Sequence, residues 1–297
     1  MTMPSKQCLS TALSLFFAAC LLSISLPSFA DNETSPEQTE KSGAFEWQIV
    51  LDLALVYDPK IITGIEQEKP WHYMKPGLLV DLSYKGFFLQ SNQRRTNLAL
   101  GGIEFGYHIQ EKEDWQLDIL IKSYMEGFDS ESLIEYGSGD DALKGLSKRD
   151  SIVGVALRYS YYTDDALLTL DIASAQAGDD ENGNHVQGFI FDSFYSYLIQ
   201  HRNWDIYVGG GFTYYSQNIM DYYIGVSSIE ANENRTEFTA DEGYRTQLEL
   251  YAQHPISESW SFNTGVTHSY FSSNVKDSPL VDTNQVTQVM VGVLYVF

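Results

Sequence analysis

The sequence predicts an all-β fold: a transmembrane, antiparallel, up-and-down β-barrel of about 12 strands, or about 10 if residues 77–92 form one bent strand. Three observations carry this reading. Apolar and polar residues alternate at period two through most of the chain, as in strands with one buried face. Long and tight connections alternate, a sorting that a soluble sandwich has no reason to show. Aromatic residues recur near the ends of the alternating segments, where a membrane protein meets its two interfaces.

Residues 1–30 read MTMPSKQCLSTALSLFFAACLLSISLPSFA. One positive charge, Lys6, precedes a long apolar stretch, and Ser28-Phe29-Ala30 offers small residues at a cleavage position. The segment is expected to be a secretory signal peptide cut after Ala30. "FFAAC" resembles a lipoprotein box ending at Cys20, but the apolar run continues to Pro27. Cys8 and Cys20 both lie in this segment, so the mature chain would carry no thiol, disulfide or cysteine-based metal site. Residues 31–45 are polar and acidic, as a flexible periplasmic lead-in would be, and the barrel is assigned to 46–297. Beyond residue 30 no apolar run is long enough for a transmembrane helix.

Alternating segments lie near 46–57, 77–84, 86–92, 98–109, 114–127, 150–162, 165–176, 186–200, 203–216, 242–254, 259–272 and 285–297. "WQLDILIKSYME" puts Trp115, Leu117, Ile119 and Ile121 on one face and Asp118, Lys122 and Tyr124 on the other. Most segments exceed the five or six residues usual for soluble strands and suit a tilted membrane strand of about 9–11. The even connections are tight: Lys85, then 110–113, 163–164, 201–202 and 255–258. The odd ones, such as 58–76, 128–149 and 217–241, are long, apart from a short 93–97. Short periplasmic turns and long extracellular loops give this pattern.

Trp47, Trp115, Trp204 and Trp260 each sit near the start of an upward strand, which places them at the periplasmic interface. Trp260 and Tyr270 share a face ten residues apart, about 25 Å along the membrane normal at a rise of about 3.3 Å and a tilt near 40°. That is the height of the apolar band between two girdles. The closing run "VTQVMVGVLYVF" alternates to Phe297, as expected of a strand that pairs with the first to shut the barrel.

Lys and Arg total 18 against 40 Asp and Glu, a formal net charge of −22, which excludes a nucleic-acid partner. Within strands, Asp52, Glu104, Asp118, Lys122, Arg158, Asp192, Arg245 and Glu249 fall opposite the aliphatics. They are expected to form a charge network filling a narrow lumen, since an isolated charge there would cost several kcal/mol. The remaining acid lies mainly in loops, as in 139–141, 178–182 and 230–238, and fits a solvated, lipopolysaccharide-compatible rim. No loop has the calcium-ligand pattern of an EF-hand, and no metal site or cofactor is expected.

Nucleophile-elbow, zinc-protease and phosphate-loop motifs are absent, so the chain is expected not to be an enzyme. "VGGGFTYY" (208–215) lies in a strand, where glycine relieves crowding. His268 shares the lipid-side face with Val266 and Tyr270, while Ser269 points inward and is a poor nucleophile for it.

"MDYYIGVSSIEA" (220–231) resembles a loop motif of the MltA-interacting protein (MipA/OmpV) family and contains Tyr222, Tyr223, Gly225, Val226 and Ser227. "GLSKRD" (145–150) is similar to the family's Arg-Asp start of a middle strand. "DSPLV" (277–281), with Ser278 and Pro279, is similar to its loop before the closing strand. "LSYKGFFLQ" (82–90) fits its early hairpin, and the final "VGVLYVF", with Tyr295 and Phe297, resembles the insertion signal read by the barrel assembly machinery. The first loop, 58–76, departs from the family pattern. The resemblance implies an outer-membrane scaffold, without catalysis, that joins a lytic transglycosylase to a murein synthase, in contact with outer-membrane lipid and lipopolysaccharide. Two other classes stay open: a narrow cation-biased channel, and a surface adhesin or receptor acting through the long acidic loops.

Overall fold

Antiparallel strands close into a barrel in the computed structural model, which describes residues 45–65, 70–92, 94, 102–136, 139, 141–178 and 185–297. The expected signal peptide, both cysteines and all of the lead-in except Phe45 lie outside the described residues. In chain order the strands are β1 (Glu46–Tyr57), β2 (Met74–Tyr84), β3 (Phe87–Ser91), β4 (Ile103–Glu111), β5 (Trp115–Met125) and β6 (Ile152–Tyr162). There follow β7 (Ala166–Ala177), β8 (Val186–His201), β9 (Trp204–Tyr215), β10 (Gly243–Pro255), β11 (Trp260–Phe271) and β12 (Gln285–Val296). Each strand pairs with its sequence neighbour, and β12 returns to β1 in a register running from Val50↔Val296 to Tyr57↔Val289.

The count is therefore twelve among the described residues, and residues 77–92 are two strands. A two-residue turn divides them: Lys85 has φ 50° and Gly86 has φ 85°. Positive φ at both central positions matches the right-handed twist of the flanking strands. Strand β2 starts at Met74, before the expected 77, because a 3-10 turn at Pro70–Tyr73 leads straight into it.

The wall is apolar outside and mixed inside. On β1, Leu53 is 54% exposed while Ala54 beside it is 2% exposed. Leu51, Leu55 and Tyr57 continue the outer row, and Asp52 and Val56 the inner one. Exposed Leu, Ile, Val and Phe on the outer faces of most strands suit hydrocarbon rather than water. Trp115, Trp204 and Trp260 are the first residues of β5, β9 and β11, and Trp47 is the second of β1. Trp260 packs on Tyr295 at 4.9 Å, and Tyr295 on Phe297 at 5.0 Å. The Phe297 amide donates to the Ile49 carbonyl at 3.3 Å, carrying the closing pairing to the last residue.

The largest apolar core lies inside the barrel, at the end where the long connections emerge. Helix α1 (Ser130–Tyr136) lies in the connection between β5 and β6, and helix α2 (Gln217–Ile224) follows β9. Ile219, Met220 and Ile224 of α2 are fully buried. They meet Ala173, Ala175 and Ile190 of the inner wall, and Leu143, Val226, Val275 and Leu280 from three connections.

Candidate functional site

Two layers of buried side chains occupy the lumen among the described residues. The lower is an ion network built from inward positions of β4 to β8. Arg158 on β6 and Asp171 on β7 are direct cross-strand partners. The Arg158 guanidinium donates to both Asp171 oxygens, Nε to Oδ1 at 2.7 Å and Nη2 to Oδ2 at 3.1 Å. Its Nη1 and Nη2 also donate to Glu104 Oε2 and Oε1 at 2.6 and 3.0 Å. One planar fork thus holds two carboxylates, the geometry for which arginine is suited. Lys122 Nζ bridges Asp171 at 2.5 Å and Asp192 at 3.0 Å. Arg94, from the connection after β3, reaches across to Asp192 Oδ1 at 2.6 Å and to Gln247 Oε1 at 3.1 Å. Thr213 donates a further bond to Asp192 at 2.6 Å.

Three cations thus face three carboxylates, and each of these side chains is at most 8% exposed. Buried charge of this kind is tolerable only when paired and hydrogen-bonded. The cavity left among Arg94, Glu104, Lys122, Arg158 and Asp192 measures about 10 Å³, near the room one water needs. Gly209 and Gly211 provide the space for this packing: a Cβ at Gly209 would lie 3.1 Å from the Phe194 ring, and one at Gly211 3.4 Å from Arg94.

Of the eight lumen charges read from the sequence, Glu104, Lys122, Arg158 and Asp192 meet in this network. Arg245 touches its edge through Thr213 at 3.4 Å. Asp118 instead pairs with His108 Nδ1 at 2.8 Å, beneath Phe88, which stacks on the His108 ring at 4.5 Å. Asp52 and Glu249 are buried on the inner faces of β1 and β10, apart from these ion pairs. Sequence reading missed Asp171 and Arg94. Asp171 was legible, because the alternation of β7 turns it inward and the tight β6–β7 turn sets it opposite Arg158. No periodicity marks Arg94, which lies in a connection.

The upper layer is a cap. Arg149, just before β6, donates to Glu230 Oε1 and Oε2 at 2.8 and 3.2 Å and to the Gly225 carbonyl at 3.0 Å. Glu230 also accepts from the Ser147 amide at 2.9 Å, and from the Ser227 amide and hydroxyl at 3.0 and 2.9 Å. Burial opposes its charge, but the Arg149 hydrogen bonds and the backbone amides outweigh burial and bring its pKa down to about 2. Arg235 donates to the carbonyls of Glu230, Ala142 and Lys144, tying three more points together.

Helix α2 carries its apolar residues at 219, 220, 223 and 224, one helical face, and small wall residues receive them. A Cβ on Gly188 would come within 2.5 Å of Ile219, and one on Gly243 within 3.2 Å of Met220. Gly225 ends the helix, its amide bonded to Asp221 at 2.8 Å, where a side chain would strike that same carbonyl.

The residues read as family motifs converge here. Tyr222 accepts from the Asp150 amide at 2.7 Å, and Tyr223 donates to the Glu126 carbonyl at 3.1 Å. Burial holds the Tyr223 hydroxyl up at about 12. Val226 bridges to Phe238, and Ser278, followed by Pro279, donates to the Ile224 carbonyl at 2.6 Å. Segments 145–150, 220–231 and 277–281 are distant in sequence and form one knot at the mouth.

His268 faces outward on β11 and contacts Thr287 Oγ1 at 2.9 Å, with Ser269 buried on the opposite face. Among the described residues, no group of three or more His, Cys, Asp or Glu could hold a metal. Residues 140 and 179–182, within two of the acidic loop runs, lie outside that search.

A family model described as MltA-interacting protein MipA matches residues 53–297. The MltA-interacting protein of Escherichia coli (strain K12) is 28% identical over 162 residues, 54% of this chain and 62% of that protein. The chain thus spans less than two-thirds of the length of that relative. Outer membrane protein OmpV of Vibrio cholerae serotype O1 is 24% identical over 207 residues, 66% of this chain and 77% of that protein. Among solved structures, the NanC porin superposes with a TM-score of 0.44 at 8% identity, over 83% of this chain and 98% of that one.

Proposed function

The chain belongs to the MltA-interacting protein family of outer-membrane barrels, and from that premise we propose that it is a docking barrel: a non-catalytic scaffold that brings a lytic murein transglycosylase together with a murein synthase. The observation that carries this reading is the packing of buried side chains in the lumen at two heights. A compensated ion network crosses the bore, enclosing a cavity of about 10 Å³ among its own side chains, and an apolar cap sits above it. Closure of this kind favours a role played at the rim rather than through the bore. The rim that murein enzymes can reach is the periplasmic one, formed by the turns at 85–86, 112–114, 163–165, 202–203 and 256–259. The name of the Escherichia coli relative supports a transglycosylase as the first partner.

The test uses the folded mature barrel as bait in detergent-solubilised envelopes, with mass spectrometry as readout, beside planar-bilayer recordings of the same preparation. Enrichment of a lytic transglycosylase or a murein synthase, with no unitary current steps, is expected. Recovery of neither, together with cation-selective steps, would replace the scaffold by the narrow channel. Recovery of neither without current would move the function to the extracellular loops.

A further inference from the structure

Outside the ion network, the periplasmic half of the lumen wall carries charge of one sign. Its inward positions hold Glu46 and Asp52 on β1, Asp81 on β2, Glu111 on β4, Asp205 on β9 and Glu249 on β10, and among the described residues no Lys or Arg. His108 is the basic group on that wall, and Asp118 pairs with it at 2.8 Å. The cations of the periplasmic rim, Lys85, Lys112 and Arg202, lie on the turns. This half is open to solvent, because Gln48, Asp81 and Gln200 face inward and are nevertheless exposed. Asp81 lies within electrostatic reach of both Glu46 and His108. A bore lined by one sign of charge focuses the field and concentrates ions of the other sign.

The series ends on groups that lack donors. Asp52 lies six residues along β1 from Glu46, about 15 Å deeper at a rise of about 3.3 Å and a tilt near 40°. It is 2% exposed, and neither carboxylate oxygen has a hydrogen bond of good geometry. Asn263 lies beside it, fully buried, with its carboxamide in the same condition. Buried acceptors of this kind are costly until a donor reaches them. A compact ion does not match the arrangement, because among the described residues no three His, Cys, Asp or Glu converge to hold a metal. The chain's own lead-in has the wrong sign, with Asp31, Glu33, Glu37 and Glu40 against Lys41. Acids spread over about 15 Å match an extended polycation. Tyr162, Tyr207 and Tyr251 on the same inner wall narrow the bore and favour a slim aliphatic chain, whose ammonium groups can also lie over the rings.

We propose that the periplasmic half of the lumen binds one linear aliphatic polyamine. Its outer ammonium groups pair with Glu46, Asp81 and Asp205 near the mouth. Its inner ammonium group, a triple donor, serves Asp52 and Asn263. Binding of this kind needs only the barrel and is independent of the scaffold reading.

The test is isothermal titration calorimetry of the mature barrel in a neutral detergent, with spermidine as the probe. Wild type is expected to bind one spermidine saturably, with an affinity that falls as salt is added. E46Q/D81N/D205N, at solvent-accessible positions, and D52N, at the inner end, are each expected to weaken binding at least about fivefold. Either variant suffices if the other does not fold. E233Q/E237Q, on the extracellular side, should leave the affinity unchanged. Wild-type affinity in either folded lumen variant would overturn the proposal, and so would equal weakening by E233Q/E237Q. Displacement of spermidine by magnesium at equal concentration would also overturn it, as a counter-ion effect only. Tighter binding of trilysine than of spermidine would overturn it in favour of a basic protein segment.

Discussion

Replacing Arg158 by methionine isolates the lower seal of the lumen. The side chain is 3% exposed and makes four charge-assisted hydrogen bonds of 2.6–3.1 Å to Glu104 and Asp171, each 1% exposed. Methionine keeps an unbranched apolar stem and removes the charge. Asp171 still has Lys122 at 2.5 Å, whereas Glu104 is left with a neutral donor, Gln90, at 3.0 Å. Deleting one partner of a buried pair typically costs about 3–5 kcal/mol, because the other charge stays buried and uncompensated. R158M is therefore expected to lose about 3–5 kcal/mol. Adding E104Q to R158M should return at least about 2 kcal/mol, since a buried carboxamide needs only hydrogen bonds. The assay is urea unfolding of the barrel in lipid vesicles, followed by tryptophan fluorescence and by the heat-dependent gel mobility of a folded barrel. A loss below about 1 kcal/mol, or no recovery with E104Q, would refute the claim that this pairing holds the lumen shut.

Other consequences are measurable in the cap and at the closing strand. Glu230 has an ordinary pKa of 4.5 and about 2 when folded, so its contribution is complete above about 4.5 and is lost as pH falls toward about 2. Hydrogen-exchange protection factors across 226–238, corrected for the intrinsic pH dependence of exchange, should therefore fall between pH 5 and pH 3 in wild type and be much flatter in E230Q; parallel profiles would reject the sign. G188V drives a methyl into Ile219 and should cost about 1–3 kcal/mol while exposing α2 to protease, and unchanged proteolysis would mean that α2 is not seated on that wall. M220A removes a fully buried side chain and should cost about 2–5 kcal/mol, checked by the same unfolding assay. Deletion of Phe297 removes its ring contact with Tyr295 and should lower the heat-modifiable fraction in outer membranes, whereas normal assembly would separate the last residue from insertion.

How much of this was legible depends on the length scale of the signal. The strands were, because alternation is local and is enforced by the difference between hydrocarbon and lumen. Leu53 and Ala54, adjacent in sequence, differ from 54% to 2% in exposure. The turn at Lys85-Gly86 was less clear, because nothing apolar marks a two-residue reversal. The network was half legible: inward parity identifies Glu104, Lys122, Arg158 and Asp192, but not which charges meet. Asp118 pairs with His108 instead, because the β4–β5 register sets His108 opposite Asp118. The cap was not legible at all as a packed layer. Segments 128–149 and 217–241 read as solvated loops, and their destination depends on complementarity between distant residues. Small inner-wall residues, Gly154, Ala173, Ala175 and Gly188, were its one trace, since a wall stripped of side chains leaves room for something else to enter.

The cap also bears on how such a surface can evolve. Loops facing the outside of a bacterium are ordinarily where sequence drifts fastest under pressure from antibodies and phages. In this chain Arg149, Glu230, Arg235 and Ser278 occupy those loops yet hold the mouth together. Immune escape would be channelled into exposed loop positions that carry no such duty, among them Ile229, 94% exposed. The loops could then vary on their outer face while the buried residues that fold them over the mouth stay fixed.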